Sequence, residues 1–263
     1  MRAAARIAML AACLALGGSI PAAAQPQSGI VRPTFEPPAP STALGAELYA
    51  GNCASCHGID GSGIVTPRRG AGGVLGAGPS LRGVGALAAD FYLRRGYMPL
   101  SSIHDQPGPD RVLFSDKEIR SLVGYVSSLG SGPGVPQPAP SSGSMAEGLH
   151  LFTDHCAGCH QVVARGGYVT GARVPPLQGV TATEIAEAVR IGPYLMPRFS
   201  RRQIPDAELN SIIKYVLSTQ HPDNRGGWGI GNVGPIPEGL VTWWIGAPLL
   251  IGMCLLLARR FGR

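Results

Sequence analysis

The amino-acid sequence predicts an all-α protein with two tandem domains and one transmembrane helix near the C-terminus. Four blocks of sequence occur twice in the same order, which indicates an internal duplication. Each copy closes with apolar residues at helical spacing, and no stretch alternates apolar and polar residues as a half-buried strand would. A long uncharged run near the C-terminus has the length of a membrane span.

The duplication sets the predicted domain boundaries. The matched blocks, first copy before second, are 45–57 with 148–160, 79–84 with 176–180, 96–99 with 194–197, and 116–130 with 206–220. Each copy has the size of a small independent domain. We therefore predict a first domain over residues 43–130, a Gly/Pro/Ser-rich linker over 131–145, and a second domain over 146–222.

Helix signals bracket each predicted domain. The segment before each pair of cysteines and the closing block of each copy are expected to be helical. Ser115 with Glu118 forms a capping-box pattern at the start of the first closing helix. Pro205 suits the first helical position of the second closing helix.

The N-terminal segment is typical of an export signal. Residues 1–24 contain Arg2 and Arg6, then an apolar stretch, and end with a small-residue cleavage pattern. An uncleaved anchor and a lipoprotein signal ending at Cys13 are the alternatives. All three place the following chain outside the cytoplasm, beginning with a proline-rich extended tether over residues 25–42.

The C-terminal segment is predicted to cross the membrane once. Residues 240–258 carry no charge and follow a Gly/Pro-rich junction over 223–239. Trp243 and Trp244 suit the outer interface, while the basic tail over 259–263 is expected in the cytoplasm. A buried core helix is the alternative, and Pro248 is expected to kink the span.

The distribution of charge argues against nucleic-acid binding. The net charge is +6, but arginines at the two chain ends supply most of the excess, and the middle of the chain is nearly neutral. A nucleic-acid partner requires a clustered basic face.

Two C-x-x-C-H motifs carry the chemistry. They consist of Cys53, Cys56 and His57, and of Cys156, Cys159 and His160. This spacing is the signature of covalent haem attachment, in which two thiols form thioethers and the histidine ligates the iron. A zinc knuckle, a redox-active dithiol and a simple disulfide are the alternatives. Repetition at equivalent positions favours two haem c groups.

The sixth iron ligands follow by elimination among the methionines. Only Met98 and Met196 lie inside a predicted domain and downstream of its C-x-x-C-H motif. The competing histidines, His104, His150, His155 and His221, are expected to be solvated or locally hydrogen-bonded. A His/Met pair raises the reduction potential and closes the sixth position, which predicts electron transfer without catalytic residues. The Gly-rich stretch 70–78 is expected to form a loop over the haem edge.

With these residues placed, the chain resembles the cytochrome cc subunit of the actinobacterial-type quinol–cytochrome c reductase, the cytochrome bc complex. The resemblance rests on the order of export segment, two haem domains and one anchor, on the Gly/Pro-rich run 226–239, and on the methionine loop 196–200. It implies two class-I-like cytochrome c domains. The longer insert over residues 66–78 departs from the family.

The resemblance also implies partners. These are a Rieske iron–sulfur subunit as electron donor, a cytochrome b subunit that oxidises quinol with it, and a terminal oxidase as acceptor. The haem attached at Cys53 and Cys56 would lie nearer the Rieske donor, and the other nearer the oxidase. The chain would thus be a subunit of a proton-translocating oxidoreductase while itself only transferring electrons.

Three other functions fit parts of the pattern. A dihaem subunit of a cbb-type oxidase or of a dehydrogenase would carry the same motifs, although such oxidase subunits have their anchor before the haem domains. A dihaem cytochrome c peroxidase would need one haem with an open sixth site. A non-catalytic assembly module would use haem only as a structural staple.

Overall fold

A computed structural model describes residues 29–69, 75–100, 102–105, 111–221 and 239–262. The chain divides into two compact units, residues 1–216 and 217–263, which are described separately. The first unit contains both copies of the duplication except for the end of the second closing block, residues 217–220. The predicted export signal lies outside the described residues, as does all of the predicted junction except Gly239.

The two copies have the same order of elements. The first contains α1 (Thr42–Asn52), α2 (Ala54–His57), β1 (Ile64–Arg69), β2 (Leu75–Gly78), α3 (Gly85–Arg94) and α4 (Asp116–Ser128). The second contains α5 (Met145–His155), α6 (Ala157–His160), β3 (Gly167–Val169), β4 (Ala172–Val174), α7 (Ala182–Ile191) and α8 (Asp206–Gln220). A short 3-10 turn, Pro140–Ser142, precedes α5. The helices expected before the cysteines and at the end of each copy are confirmed.

The all-α prediction is wrong in one respect, since each copy contains a small antiparallel hairpin. In the first, Ile64 pairs with Gly78 and Arg69 with Leu75. In the second, Gly167 pairs with Val174. Residues 75–78, expected within a loop, therefore form a strand. Strands this short leave too few residues for a period-two pattern to be seen in the sequence.

The core of each copy forms where its first helix crosses its closing helix. In the first domain Leu44 and Leu48 on α1 are buried with Leu122 on α4. The crossing is close because α1 presents Gly45 to the backbone of Ser121. The second domain repeats this contact, with Gly148 on α5 against the backbone of Ser211 on α8. The equivalence of the two crossings supports the duplication.

Side-chain caps define the helix starts. Ser115 and Glu118 form the predicted capping box at α4. Thr181 and Glu184 form a second capping box at the start of α7, a helix that was not predicted from the sequence. Helix α8 begins one residue later than expected, because Pro205 precedes it and accepts the first intrahelical hydrogen bond from Leu209.

The predicted tether is attached to the first domain. The guanidinium of Arg32 donates to the buried carboxylate of Glu118 at 2.7 Å, and Lys117 forms an ion pair with Glu36 at 2.7 Å. The backbone N–H of Val31 also donates to the Asn52 side chain at 2.8 Å. This segment therefore lies along the domain as part of its structure.

The linker between the domains is also ordered by hydrogen bonds. The carbonyl of Pro133 accepts from the N–H of Leu87 at 3.0 Å. The N–H of Ala139 donates to the Asn210 side chain at 2.9 Å. Since Leu87 and Asn210 belong to different domains, the linker is held to both of them.

Among the described residues of the second unit, one helix is long and apolar enough to cross a membrane. It extends over Gly239–Phe261 and so includes the predicted span. A π-helical turn over Thr242–Gly246 is followed by α9, Ala247–Phe261, with Pro248 in its first turn. Proline cannot donate a backbone hydrogen bond, and irregular hydrogen bonding beside it is the expected consequence.

Candidate functional site

The first C-x-x-C-H motif opens onto a large pocket in the first domain. Cys53 ends α1 and caps α2, and Cys56 and His57 lie on α2. The pocket has a volume of about 1040 Å³ and is lined by Cys53, Cys56, His57 and Met98, among others. The structure therefore brings together all four residues that the sequence predicted for this site.

The imidazole of His57 is held in one orientation by the backbone. Its Nδ1 lies 2.8 Å from the carbonyl oxygen of Pro79. A neutral ring that donates from Nδ1 leaves Nε2 free as a ligand, which is how metal-bound histidines are commonly oriented. Gly78 lies close to the ring, because a Cβ there would be 3.0 Å from the histidine Cε1.

The hairpin and α1 fix the short helix α2 from two sides. Strand β2 approaches through Gly76, whose added Cβ would collide with the carbonyl of Ser55. From the other side, the hydroxyl of Tyr49 donates to the carbonyl of Gly58 at 2.8 Å. Strand β2 lies in the insert over residues 66–78 that departs from the family, so this part of the insert supports α2.

The second motif faces a tighter pocket in the second domain. This pocket, of about 80 Å³, is lined by Cys156, His160 and Met196, among others. Cys159 is exposed and is not among the lining residues. The structure therefore gathers three of the four predicted residues around the cavity and places the fourth on α6 at its outside.

Burial favours the uncharged form of three groups in the two motifs, namely His160, Cys53 and Cys156. Burial lowers the pKa of His160. The nearby carbonyl of Pro175 acts in the opposite direction but has the smaller effect. Its Nδ1 is buried and makes no hydrogen bond among the described residues. Burial raises the pKa of Cys53 to about 12 and that of Cys156 to about 11. Reactive dithiols need lowered thiol pKa values, so these shifts disfavour the redox-dithiol alternative.

The donors around each pocket fit a haem c better than a metal ion. Two thiols, an oriented neutral imidazole and a thioether are the groups that attach and ligate haem iron in cytochromes c. Within the described ranges, no group of three or more His, Cys, Asp or Glu side chains could hold a metal ion. This counts against the zinc-knuckle alternative, which needs four converging ligands.

The competing histidines have exposed side chains, and so do those of the set-aside methionines that the structure describes. His104, His155 and His221 are exposed, and His150, also exposed, pairs with Asp154 at 3.2 Å. Met145 and Met253 are exposed as well. The expectation that the four histidines are solvated or locally bonded is confirmed.

The contribution of the first domain to the lining of the second pocket was not predicted from the sequence. Phe91, Arg95 and Tyr97 of the first domain also line it, because α3 packs against α7 of the second domain. Arg95 lies 3.6 Å from the carboxylate of Glu184 across this contact. The T-x-x-E capping box at the start of α7 was the available signal for that helix.

Two family profiles match the two domains. The profile described as "Cytochrome c" matches residues 42–130, and that described as "Cytochrome C oxidase, cbb3-type, subunit III" matches residues 143–216.

Curated relatives match most of the chain. The chain is 30% identical over 234 residues to the cytochrome bc1 complex cytochrome c subunit of Corynebacterium diphtheriae, covering 82% of this chain and 80% of that protein. It is 32% identical over 225 residues to the subunit of the same name from Mycobacterium tuberculosis, covering 82% and 77%. It is also 28% identical over 192 residues to the Cbb3-type cytochrome c oxidase subunit CcoP of an Azospirillum strain, covering 65% and 60%.

Proposed function

Because this chain belongs to the family of cytochrome c subunits of cytochrome bc1 complexes, we propose that it relays electrons from a Rieske iron–sulfur protein through two haems to a terminal oxidase. Membership in this family means that the chain is a c-type cytochrome that carries electrons within an oxidoreductase complex. We propose in addition that the donor is a Rieske protein, that the acceptor is a terminal oxidase, and that the chain carries two haems.

The observation that carries the proposal is the repeated convergence of ligands on a pocket. Cys53, Cys56, His57 and Met98 line one pocket, and Cys156, His160 and Met196 line the equivalent one. We assign the four cysteines to thioether attachment, with Cys159 reaching the haem from the edge of its pocket. His57 with Met98, and His160 with Met196, are the proposed axial pairs.

Each residue has a definite task in this assignment. A bound haem supplies one-electron Fe³⁺/Fe²⁺ chemistry. The histidine supplies a ring nitrogen, whose direction in His57 is set by the carbonyl oxygen of Pro79. The methionine thioether would hold the iron together with the histidine, and it would thereby raise the reduction potential and leave no open site for peroxide or oxygen. No general acid or base is needed for this role.

The proposed membrane topology follows from the second unit. The helix Gly239–Phe261 is a single-pass anchor, with both haem domains outside the cytoplasm and the tail at Arg259 and Arg260 inside. Basic residues at the cytoplasmic end and Trp243 and Trp244 near the other end support this orientation.

The ligand assignment is tested by replacing one methionine at a time. Met98→Ala and Met196→Ala should each abolish the near-infrared thioether–iron band of one haem, because alanine supplies no sulfur. Met145→Ala is the matched control, since this exposed methionine lies at the start of α5 and should leave both bands intact. A wild-type protein with fewer than two covalent haems per chain would contradict the proposal.

The partner assignment is tested by purifying the tagged chain in mild detergent. The expected result is co-purification of a Rieske protein and a cytochrome b. A second candidate function, a subunit of a cbb3-type oxidase, is favoured by the family match of the second domain. Recovery of oxidase subunits without the Rieske protein would support that candidate, and rapid peroxide turnover would instead indicate a peroxidase.

A further inference from the structure

The contact between the two domains encloses a pair of carboxyl side chains. Helix α3 packs against α7, with Asp90 on the first helix and Glu187 on the second. Asp90 is 5% exposed and Glu187 is 0% exposed. Carboxyl groups are almost never fully buried unless something compensates for the lost hydration.

Asp90 has such compensation and Glu187 does not. Arg94 donates from Nε to Asp90 at 2.8 Å and from Nη1 to Asp116 at 2.8 Å. Neither carboxyl oxygen of Glu187 has a hydrogen-bond partner among the described residues. A buried carboxylate without a partner is strongly unfavourable, so the group is expected to hold a proton.

The charged groups around Glu187 reinforce this effect. Asp90 faces it from α3, and Glu184 lies one turn before it on α7. Arg94 opposes them, but its guanidinium is already bound to the carboxylates of Asp90 and Asp116. Burial raises the pKa of Glu187 to about 8, with Asp90 and Glu184 adding to the shift. The proton is therefore held up to mildly alkaline pH.

This carboxyl group lies behind a wall of the second pocket. Glu184, Ile185, Ala188 and Val189 on α7 line that pocket, as does Phe91, the residue after Asp90. An electron added at the pocket is a negative charge, and a nearby negative charge favours the protonated form of a carboxyl group.

Water can reach the edge of the enclosed pair. A cleft of about 960 Å³ at the contact of the domains is lined by Asp90, Arg94, Asp116 and Glu184, among others. Asp90 therefore stands between this cleft and Glu187, which provides a short route for proton exchange.

We propose that Glu187, with Asp90 beside it, is a proton-binding site coupled to reduction of the second domain. In the alkaline range where Glu187 has lost its proton in the oxidised protein, one electron gained at the second pocket is accompanied by up to one proton, which is taken from water and forms an O–H bond on a Glu187 carboxylate oxygen. Reoxidation returns the electron to the acceptor and the proton to water. The inference rests on the proposed function in one respect, the presence of a redox-active haem in the second domain.

The test is a spectroelectrochemical titration of the full haem-loaded chain in detergent. One of the two reduction potentials should fall as pH rises through about 8. The slope should be at most about 59 mV per pH unit, which corresponds to a tenfold change in the equilibrium constant of the one-electron reduction. Glu187→Gln, which keeps size and removes the titration, should make that slope vanish. Glu47→Gln, at an exposed carboxyl on α1, is the matched control and should retain it.

Two further measurements separate a proton site from a structural role. The infrared difference between reduced and oxidised protein should contain a deuterium-sensitive carboxylic C=O band that is lost in Glu187→Gln. Asp90→Asn should move the sloped region to lower pH, because it removes a like charge and frees Arg94.

The outcomes distinguish this inference from the proposed function. Two pH-independent potentials in the wild type, or an unchanged slope in Glu187→Gln, would overturn the proton site while leaving the dihaem relay intact. A wild type in which only one haem per chain takes up an electron would overturn the dihaem relay, and it would overturn both if that haem belongs to the first domain.

Discussion

Replacing Gly45 by alanine should destabilise the first domain through one steric contact. Helix α1 crosses α4 at this residue, and an added Cβ would lie against the backbone carbonyl of Ser121, only 2.6 Å from its carbon. It would also lie 2.9 Å from the Cβ of Tyr125. A backbone carbonyl within a helix cannot rotate away as a flexible side chain can, so the two helices must separate.

The magnitude follows from two opposing effects. Overpacking a core costs about 1 to 3 kcal/mol, and the rigid neighbour places this site near the upper end. Alanine is favoured over glycine inside a helix by about 1 kcal/mol. The net loss is therefore about 2 kcal/mol, which lowers the midpoint of a domain this small by roughly 10 °C.

Calorimetry of the full chain in detergent measures this midpoint. Gly124→Ala on the facing helix is the control, because its nearest neighbour would be the Thr42 hydroxyl at 3.9 Å, and it should stabilise the domain by up to about 1 kcal/mol. Gly148→Ala should repeat the loss in the second domain, since its Cβ would meet the carbonyl of Ser211. If Gly45→Ala melts with the wild type, the close crossing of α1 and α4 is refuted.

Three further predictions concern the first domain. Gly76→Ala should push β2 away from the carbonyl of Ser55 and lower the ratio of covalent haem to protein, measured by absorbance of the purified chain. Ser115→Ala should cost about 1 kcal/mol in urea unfolding, because it removes the N-cap of α4. Burial raises the pKa of Glu118, but hydrogen bonds from Arg32 and Ser115 outweigh this and hold it below its ordinary value. The stability this contributes is present above about pH 4.3 and is lost as pH falls through the folded-state pKa. Arg32→Ala should therefore cost about 1 to 2 kcal/mol at neutral pH and flatten the acid dependence of unfolding.

Most of the predicted site residues do line a pocket in the structure, and their convergence was predictable from the sequence. Cys53, Cys56 and His57 are adjacent in the chain, so a short helix is enough to place them together. Met98 and Met196 followed from comparing the two copies, and the structure places each on the pocket of its own domain. The position of these residues beside a pocket could be predicted because it depends on local spacing and on repetition, while their role as iron ligands stays a prediction.

The hairpins and the domain contact were not predictable in this way. Strand β2 packs on α2 through its glycines, Gly76 and Gly78. Glycines have no side chain, so no apolar or polar pattern in the sequence indicates this contact. Helices α3 and α7 are each ten residues long, and nothing in either segment of sequence indicates that the two pack against each other.

The sequence by itself determined the local chemistry of this protein. It specified the two attachment motifs, the closing helices and the apolar run of the span, since each depends on residues close together in the chain. Only the tertiary structure decided that Phe91 reaches the pocket of the other domain and that Asp90 faces Glu187. These residues belong to different domains, and their meeting depends on how two helices pack, which no local pattern encodes.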